Sequence, residues 1–336
     1  MKQQLRVGVI GCGAIGREHL RRLTDVVPET IVTGVADYFL PAAQSAAEMF
    51  HCTAFQTGED LIASPDVDAV VVTSADPSHA AYVLEAIRHK KFVFCEKPLA
   101  QTAEECRQII AAEQDAGKKL VQVGFMRRYD RGYMAMKHAI SSNEIGAPLM
   151  IHAAHRNMSQ APGFETDYAV TRVAIHEIDI CRWLLDDEYA TAQVLGVRQS
   201  SRTSGEWLNP QIMMLTTRSG QRIDVEVQTD GAYAYDIQCH VVGEDGIVSL
   251  PDPTSVTKRA AAAIHTPLMT DWKDRFIEAY DIEFQDWAKS VLNGAPTGPS
   301  SWDGYVACVT GDALIRSRQT GKPEDIVLPE KPEMYQ

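Results

Sequence analysis

Apolar runs and helical repeats alternate along the first 124 residues of the chain. Runs at 5–11, 30–36, 69–73, 91–95 and 119–124 read as buried strands. Between them lie helical stretches near 14–25, 41–50, 77–90 and 102–116. The run Ala69-Val70-Val71-Val72-Thr73-Ser74 has no polar alternation before its end, as expected of a strand covered on both faces. Alternation of this kind predicts an α/β architecture with a doubly wound parallel sheet.

After Gly124 the pattern changes. Helical segments near 130–142 and 167–186 accompany strand-like runs near 148–156, 190–199, 210–217, 221–228, 233–243 and 246–250. Turn signals at Ser219-Gly220 and Asp245-Gly246 separate several of these, which predicts an α+β domain with a large, mostly antiparallel open sheet. Helices are expected near 272–292 and 302–320, joined by Asn293-Gly294-Ala295-Pro296-Thr297-Gly298-Pro299. With 336 residues and 45% apolar composition, two domains are expected, 1–124 and 125–336.

Charge and cysteine content narrow the function. The net charge of −13 and scattered Lys and Arg disfavour nucleic acid and anionic membranes as partners. No apolar run approaches the roughly 20 residues of a membrane span. Met1 to Leu5 runs straight into the first strand, leaving no expected targeting segment. The seven cysteines (12, 52, 95, 106, 181, 239, 308) form no CxxC pair, so neither a metal site nor a disulfide framework is expected, and a reducing cytoplasm is.

The first strand ends in Gly11-Cys12-Gly13-Ala14-Ile15-Gly16 and leads into a helix; the second apolar run ends in Asp37. This is the Rossmann dinucleotide arrangement. Gly11 permits the tight turn, Gly13 lets the backbone approach the pyrophosphate, and Gly16 lets helix and strand pack closely. The phosphates meet the helix N-terminus at Ala14 and Ile15. Asp37 suits the ribose hydroxyls of NAD and repels the 2′-phosphate of NADP, and no Arg or Lys follows at 38–40.

Two further clusters carry candidate chemistry. The fifth strand ends in Glu96-Lys97-Pro98, which puts Lys97 at the crevice rim, with Pro98 fixing the turn through a cis bond. Taken alone, Lys97 reads more readily as a surface lysine before a helix. In Arg172-Val173-Ala174-Ile175-His176-Glu177-Ile178-Asp179, helical spacing puts Arg172 and Asp179 on the face of His176, a natural proton acceptor. Oxidation of an alcohol by NAD needs a group to take the hydroxyl proton and polar groups to aim the carbinol carbon. The expectation is that Lys97 and His176 meet over the coenzyme ring.

Glu96-Lys97-Pro98, Gly124-Phe125-Met126-Arg127-Arg128-Tyr129-Asp130 and His176-Glu177-Ile178-Asp179 stand in order behind the glycine motif. With His152-Ala153-Ala154-His155-Arg156-Asn157 and Tyr235-Asp236-Ile237-Gln238-Cys239, the chain resembles the Gfo/Idh/MocA oxidoreductases end to end, most closely their bacterial inositol 2-dehydrogenase branch. The resemblance implies NAD-dependent oxidation of a cyclic polyol, with Lys97 and His176 catalytic. It also implies substrate contacts from Arg127, His155, Asn157, Asp179 and Tyr235, cofactor contacts from Ser74, His79 and Glu96, and a homotetramer.

One departure stands out. The inositol branch typically carries aspartate one helical turn before the histidine, and this chain carries Arg172. A guanidinium only donates hydrogen bonds, so a different or acidic polyol enters as an alternative substrate, with Asp167 or Asp179 as replacement carboxylate. A sugar or sugar-acid dehydrogenase and a non-catalytic NAD-binding sensor remain the competing readings.

Overall fold

The computed structural model describes residues 4–251 and 256–336. The reading of the N-terminus rests partly on Met1–Gln3, which lie outside the described residues. The chain divides into two compact units. One holds the chain up to Phe125 together with Tyr280–Cys308 and Leu328–Gln336; the other holds Met126–Ala279 and Val309–Val327. The first change of unit falls beside the expected 124/125 division, but two C-terminal segments return to the first unit.

In the first unit the elements run β1 (Leu5–Ile10), α1 (Ala14–Asp25), β2 (Thr30–Ala36), α2 (Leu40–Phe50), β3 (Thr53–Ala54) and α3 (Gly58–Ala63). They continue β4 (Ala69–Val72), α4 (His79–Arg88), β5 (Phe92–Glu96), α5 (Ala103–Ala116) and β6 (Val121–Gly124). All pairings are parallel, in the order β3-β2-β1-β4-β5-β6. Strand order reverses between β1 and β4, so the crevice beyond their carboxyl ends is the ligand position of this architecture. Every residue of β4 is buried, as its unbroken apolar run requires. Local chemistry sets the helix starts: Thr102 and Glu105 form a reciprocal capping box on α5, and Thr57 Oγ1 accepts from Asp60 N at 3.0 Å to start α3.

The second unit opens with α6 (Arg131–Ser141) and β7 (Pro148–Arg156). A π-helical segment, Ala169–Ala174, then runs into α7 (Ile175–Leu185). Next come β8 (Tyr189–Leu195), β9 (Gln211–Thr217), β10 (Arg222–Gln228), β11 (Asp236–Gly243), β12 (Ile247–Ser249) and the hairpin β13 (Lys258–Ala260)–β14 (Ala263–His265). The chain closes with α8 (Trp272–Leu292), α9 (Ser301–Thr320) and β15 (Glu324–Asp325). The sheet order is β12-β11-β7-β10-β9-β8-β15, antiparallel except between β7 and β10. Buried and half-buried residues alternate strictly along β9, so one face packs on helices and the other is open. On the open face Arg156 reaches Glu226 at 2.7 Å and Asp236 at 2.9 Å on the flanking strands.

The return of the C-terminal segments has an apolar cause. Phe284, Trp287, Ala288 and Val291 of α8 are buried in one cluster with Val7, Val9, Leu20 and Phe94. A polar tie reinforces it: the buried Glu113 carboxylate accepts from Leu120 N at 2.6 Å, Val121 N at 2.9 Å, Ser301 Oγ at 2.5 Å and Tyr335 OH at 2.7 Å. Burial nonetheless pushes its pKa up.

Candidate active site

At the carboxyl end of the parallel sheet, Gly11 has φ of +103° and donates from N to Ala36 O at 2.8 Å. A Cβ there would stand 2.6 Å from the Thr73 carbonyl and from Ser74 N; at Gly16 it would stand 2.0 Å from Gly11 O. At Gly13, by contrast, a Cβ meets nothing within 4 Å, so the space before the α1 N-terminus is open. No side chain caps that helix, which leaves its first-turn N–H groups to an anion. Asp37 is held by two backbone donors, Cys12 N at 2.7 Å on Oδ2 and Phe39 N at 2.9 Å on Oδ1. Its oxygens keep lone pairs for ribose hydroxyls. The donor set fits NAD.

Beyond β4 and β5, the Lys97–Pro98 bond is cis, as the turn was expected to be. Lys97 is half-buried. Ser74 Oγ lies 2.6 Å from Ser78 Oγ. Two expected cofactor contacts have other duties. The buried His79 ring sets Nδ1 2.7 Å from Pro98 O and Nε2 3.0 Å from Ser74 O, tying two strand ends together. Glu96 is buried and turns its carboxylate inward to His19 Nε2, at 2.7 Å. In both cases the side chain serves backbone or interior partners, which a single sequence does not reveal.

The second unit gathers a buried polar cluster. Arg127, on the turn Met126–Tyr129, is ion-paired through Nη1 to Glu177 on α7 and reaches His155 Nδ1 on β7 from Nη2 at 3.1 Å. His155 Nδ1 also lies 3.0 Å from Glu177 Oε2. The His155 ring stands edge-on to Tyr235 at 5.7 Å and 6.2 Å from the buried His176 ring. Phe276 supplies an apolar wall, 5.3 Å from the Arg127 guanidinium and 6.3 Å from the Tyr235 ring.

The electrostatics follow from burial and pairing. Burial opposes charge on both partners, yet Glu177 holds the Arg127 guanidinium well above its ordinary pKa, and Arg127 with His155 holds Glu177 below the usual carboxylate range. Burial pushes the Tyr235 phenol up to about 12, so it stays a neutral hydrogen-bonding group. Arg127 Nε and Asn157 Oδ1 are buried with no hydrogen-bond partner among the described residues, one donor and one acceptor of the kind a hydroxylated ligand satisfies.

The π-helical segment corrects the reading around Arg172. The expected face-sharing of Arg172 with His176 assumes α-helical spacing, but Arg172 lies in Ala169–Ala174, where the turn is wider. Arg172 is exposed, with its guanidinium 3.7 Å over the Tyr168 ring. Asp179 is buried against Arg128, Nε to Oδ2 at 2.9 Å, and Asp167 pairs with Arg318 at 2.6 Å, so neither carboxylate stands ready to replace the missing aspartate. Glu177, by contrast, reads in the sequence only as a charged neighbour of His176. Its location opposite Arg127 is set only by the tertiary fold.

Residues 5–125 match the Gfo/Idh/MocA oxidoreductase family, NAD-binding Rossmann fold, and residues 137–326 match that family's C-terminal alpha/beta domain. The chain belongs to this family and is an NAD-dependent oxidoreductase. It is 50% identical over 333 residues to an inositol 2-dehydrogenase of Burkholderia cenocepacia, covering 98% of this chain and 99% of the relative. A Klebsiella pneumoniae inositol 2-dehydrogenase is 49% identical with the same coverage. Among solved structures, myo-inositol dehydrogenase from Lactobacillus casei in complex with NAD(H) and myo-inositol matches with a TM-score of 0.96. That match has 40% identity and covers 99% of this chain and 100% of that one.

Proposed function

We propose that the protein oxidises one carbinol carbon of an inositol, myo-inositol or a stereoisomer, to the corresponding inosose. The observation that carries this reading is the buried Arg127–Glu177–His155 cluster with Tyr235, on a chain about half identical along its length to inositol 2-dehydrogenases. An inositol presents a hydroxyl on every ring carbon, and holding one ring orientation takes several fixed donors and acceptors. Bound NAD supplies the hydride acceptor. Arg127, held by Glu177, donates to ring hydroxyls; His155, Asn157 and Tyr235 fix their neighbours. We assign Lys97 and His176 to the proton of the reacting hydroxyl, which leaves as the C–H hydride departs and the C=O forms.

Arg172 favours a second reading, a cyclic sugar acid as substrate. Its guanidinium is exposed and braced on Tyr168, as an anion-binding arginine is. Turnover of myo-inositol, scyllo-inositol, glucose and glucuronate, compared at equal concentration with NAD, tests both. The first reading expects the highest kcat/KM on an inositol. Preference for glucuronate, lost on Arg172→Ala, selects the second, and tight NAD binding without turnover of any of them selects a sensor.

The same proposal extends to assembly and compartment. The open face of the second unit's sheet carries Met150 exposed beside the Arg156 ion pairs, a face suited to a homotetramer. All seven cysteines are free thiols, which fits the cytoplasm, and among the described residues no helix is long and apolar enough to cross a membrane.

A further inference from the structure

Behind the turn that carries Lys97 lies a chain of buried charged and polar groups that the proposed reaction does not use. Glu96 Oε2 accepts from Lys97 N at 3.2 Å, and Glu96 Oε1 lies 2.7 Å from His19 Nε2. His19 Nδ1 lies 2.7 Å from Arg22 Nη1, and Arg22 Nε donates to Asp281 Oδ1 at 2.6 Å. His19 is 0% exposed and Arg22 1%. The rings of Phe284, Tyr280 and Phe94 enclose His19 at 4.5, 5.5 and 6.0 Å.

The chemistry of the partners sets the proton positions. Arginine has only donors, so His19 Nδ1 accepts and a neutral ring carries its proton on Nε2, aimed at Glu96. Burial lowers the pKa of His19, which keeps the ring neutral. Burial opposes the Glu96 charge, but the His19 hydrogen bond holds this carboxylate below its ordinary pKa. The other charged or titratable neighbours are Glu18 on α1, Cys95 and Lys97 on β5 and its turn, and Tyr280 and Asp281 on α8; Gly124 on β6 brings none.

We propose that His19, oriented by Arg22, is a positioning residue for the reaction: its bond to Glu96 fixes that carboxylate against the backbone N–H of Lys97 and so sets the turn from which Lys97 acts. This rests on the assignment of Lys97 to the reacting hydroxyl. The device links α1, whose uncapped N-terminus would hold the cofactor's phosphates, to the strand end that bears the lysine.

The test measures myo-inositol oxidation by NAD against pH in His19→Ala, His19→Gln and Lys97→Ala, with NADH binding followed by fluorescence. Glutamine presents the same acceptor toward Arg22 and the same donor toward Glu96. His19→Ala is expected to lower kcat about tenfold or more, since small misplacements at a reacting group are costly. Its acid limb should move to higher pH, because Glu96 loses its donor and takes up a proton more readily, while NADH binding stays within about threefold. His19→Gln should restore most of the rate and the limb. If His19→Ala does not fold, His19→Asn, too short to span both partners, takes its place. Equal losses in the alanine and glutamine variants with an unmoved acid limb overturn the proposal, as does wild-type turnover in His19→Ala. An active Lys97→Ala enzyme overturns instead the reading on which it rests.

Discussion

At the residue scale the proposed reaction is tested at three side chains. Lys97→Ala is expected to lower kcat by about 10²–10⁴-fold, the range of a lost acid–base group, with an unchanged circular dichroism spectrum. Asp37→Ser removes the carboxylate held by Cys12 N and Phe39 N. The KM for NAD should rise and NADP become a usable substrate, measured as the ratio of the two kcat/KM values. Glu177 is the buried counter-charge of Arg127. Glu177→Gln leaves Arg127 buried without its counter-charge, a loss of about 3–5 kcal/mol for a broken buried pair. The pH dependence follows from the folded Glu177 having a pKa below its unfolded value. Its contribution is fully present above about pH 4.3 and is lost as pH falls through the lower folded value. Urea midpoints between pH 3 and 7 should therefore drop on acidification in the wild type and less steeply in the glutamine variant.

At the element scale, the close approaches around the glycine turn predict that Gly16→Ala displaces α1 from β1, since the new methyl carbon would sit 2.0 Å from Gly11 O. Equilibrium dialysis should show NAD affinity weakened more than tenfold while α7 and its cluster persist. Tyr335→Phe removes one hydrogen bond to Glu113 and should cost about 1 kcal/mol of unfolding free energy. The long elements were legible because their patterns were strong: α1 at 14–25, β2 at 30–36 and β7 at 148–156 fall on the expected residues. The six residues of α3 were not, because they span less than two helical turns and give no period to read. The π turn at Ala169–Ala174 hides similarly: its residues suit an ordinary helix, and only packing selects the wider turn that takes Arg172 off the expected face. Motif context marks Asp37, Lys97 and His176 as candidates in the sequence. Glu177, His19 and Arg22 were not legible, because their bonds to Arg127, Glu96 and Asp281 each span 50 or more residues and leave no local spacing.

For the whole molecule, an NAD-binding parallel-sheet unit is joined to a unit whose mixed sheet and helices carry the buried Arg127–Glu177–His155 cluster. The latter sheet's open face leads to the expectation of a tetramer. Light scattering after size exclusion should give about four times the 37.1 kDa chain mass, and charge reversal at Arg156 should lower it. The most direct measurement is NADH formation by the purified protein with NAD and myo-inositol, run beside scyllo-inositol, glucose, glucuronate and the Lys97→Ala variant. The account predicts turnover highest on an inositol and abolished by the substitution. Folded protein that binds NADH yet oxidises no inositol would contradict it.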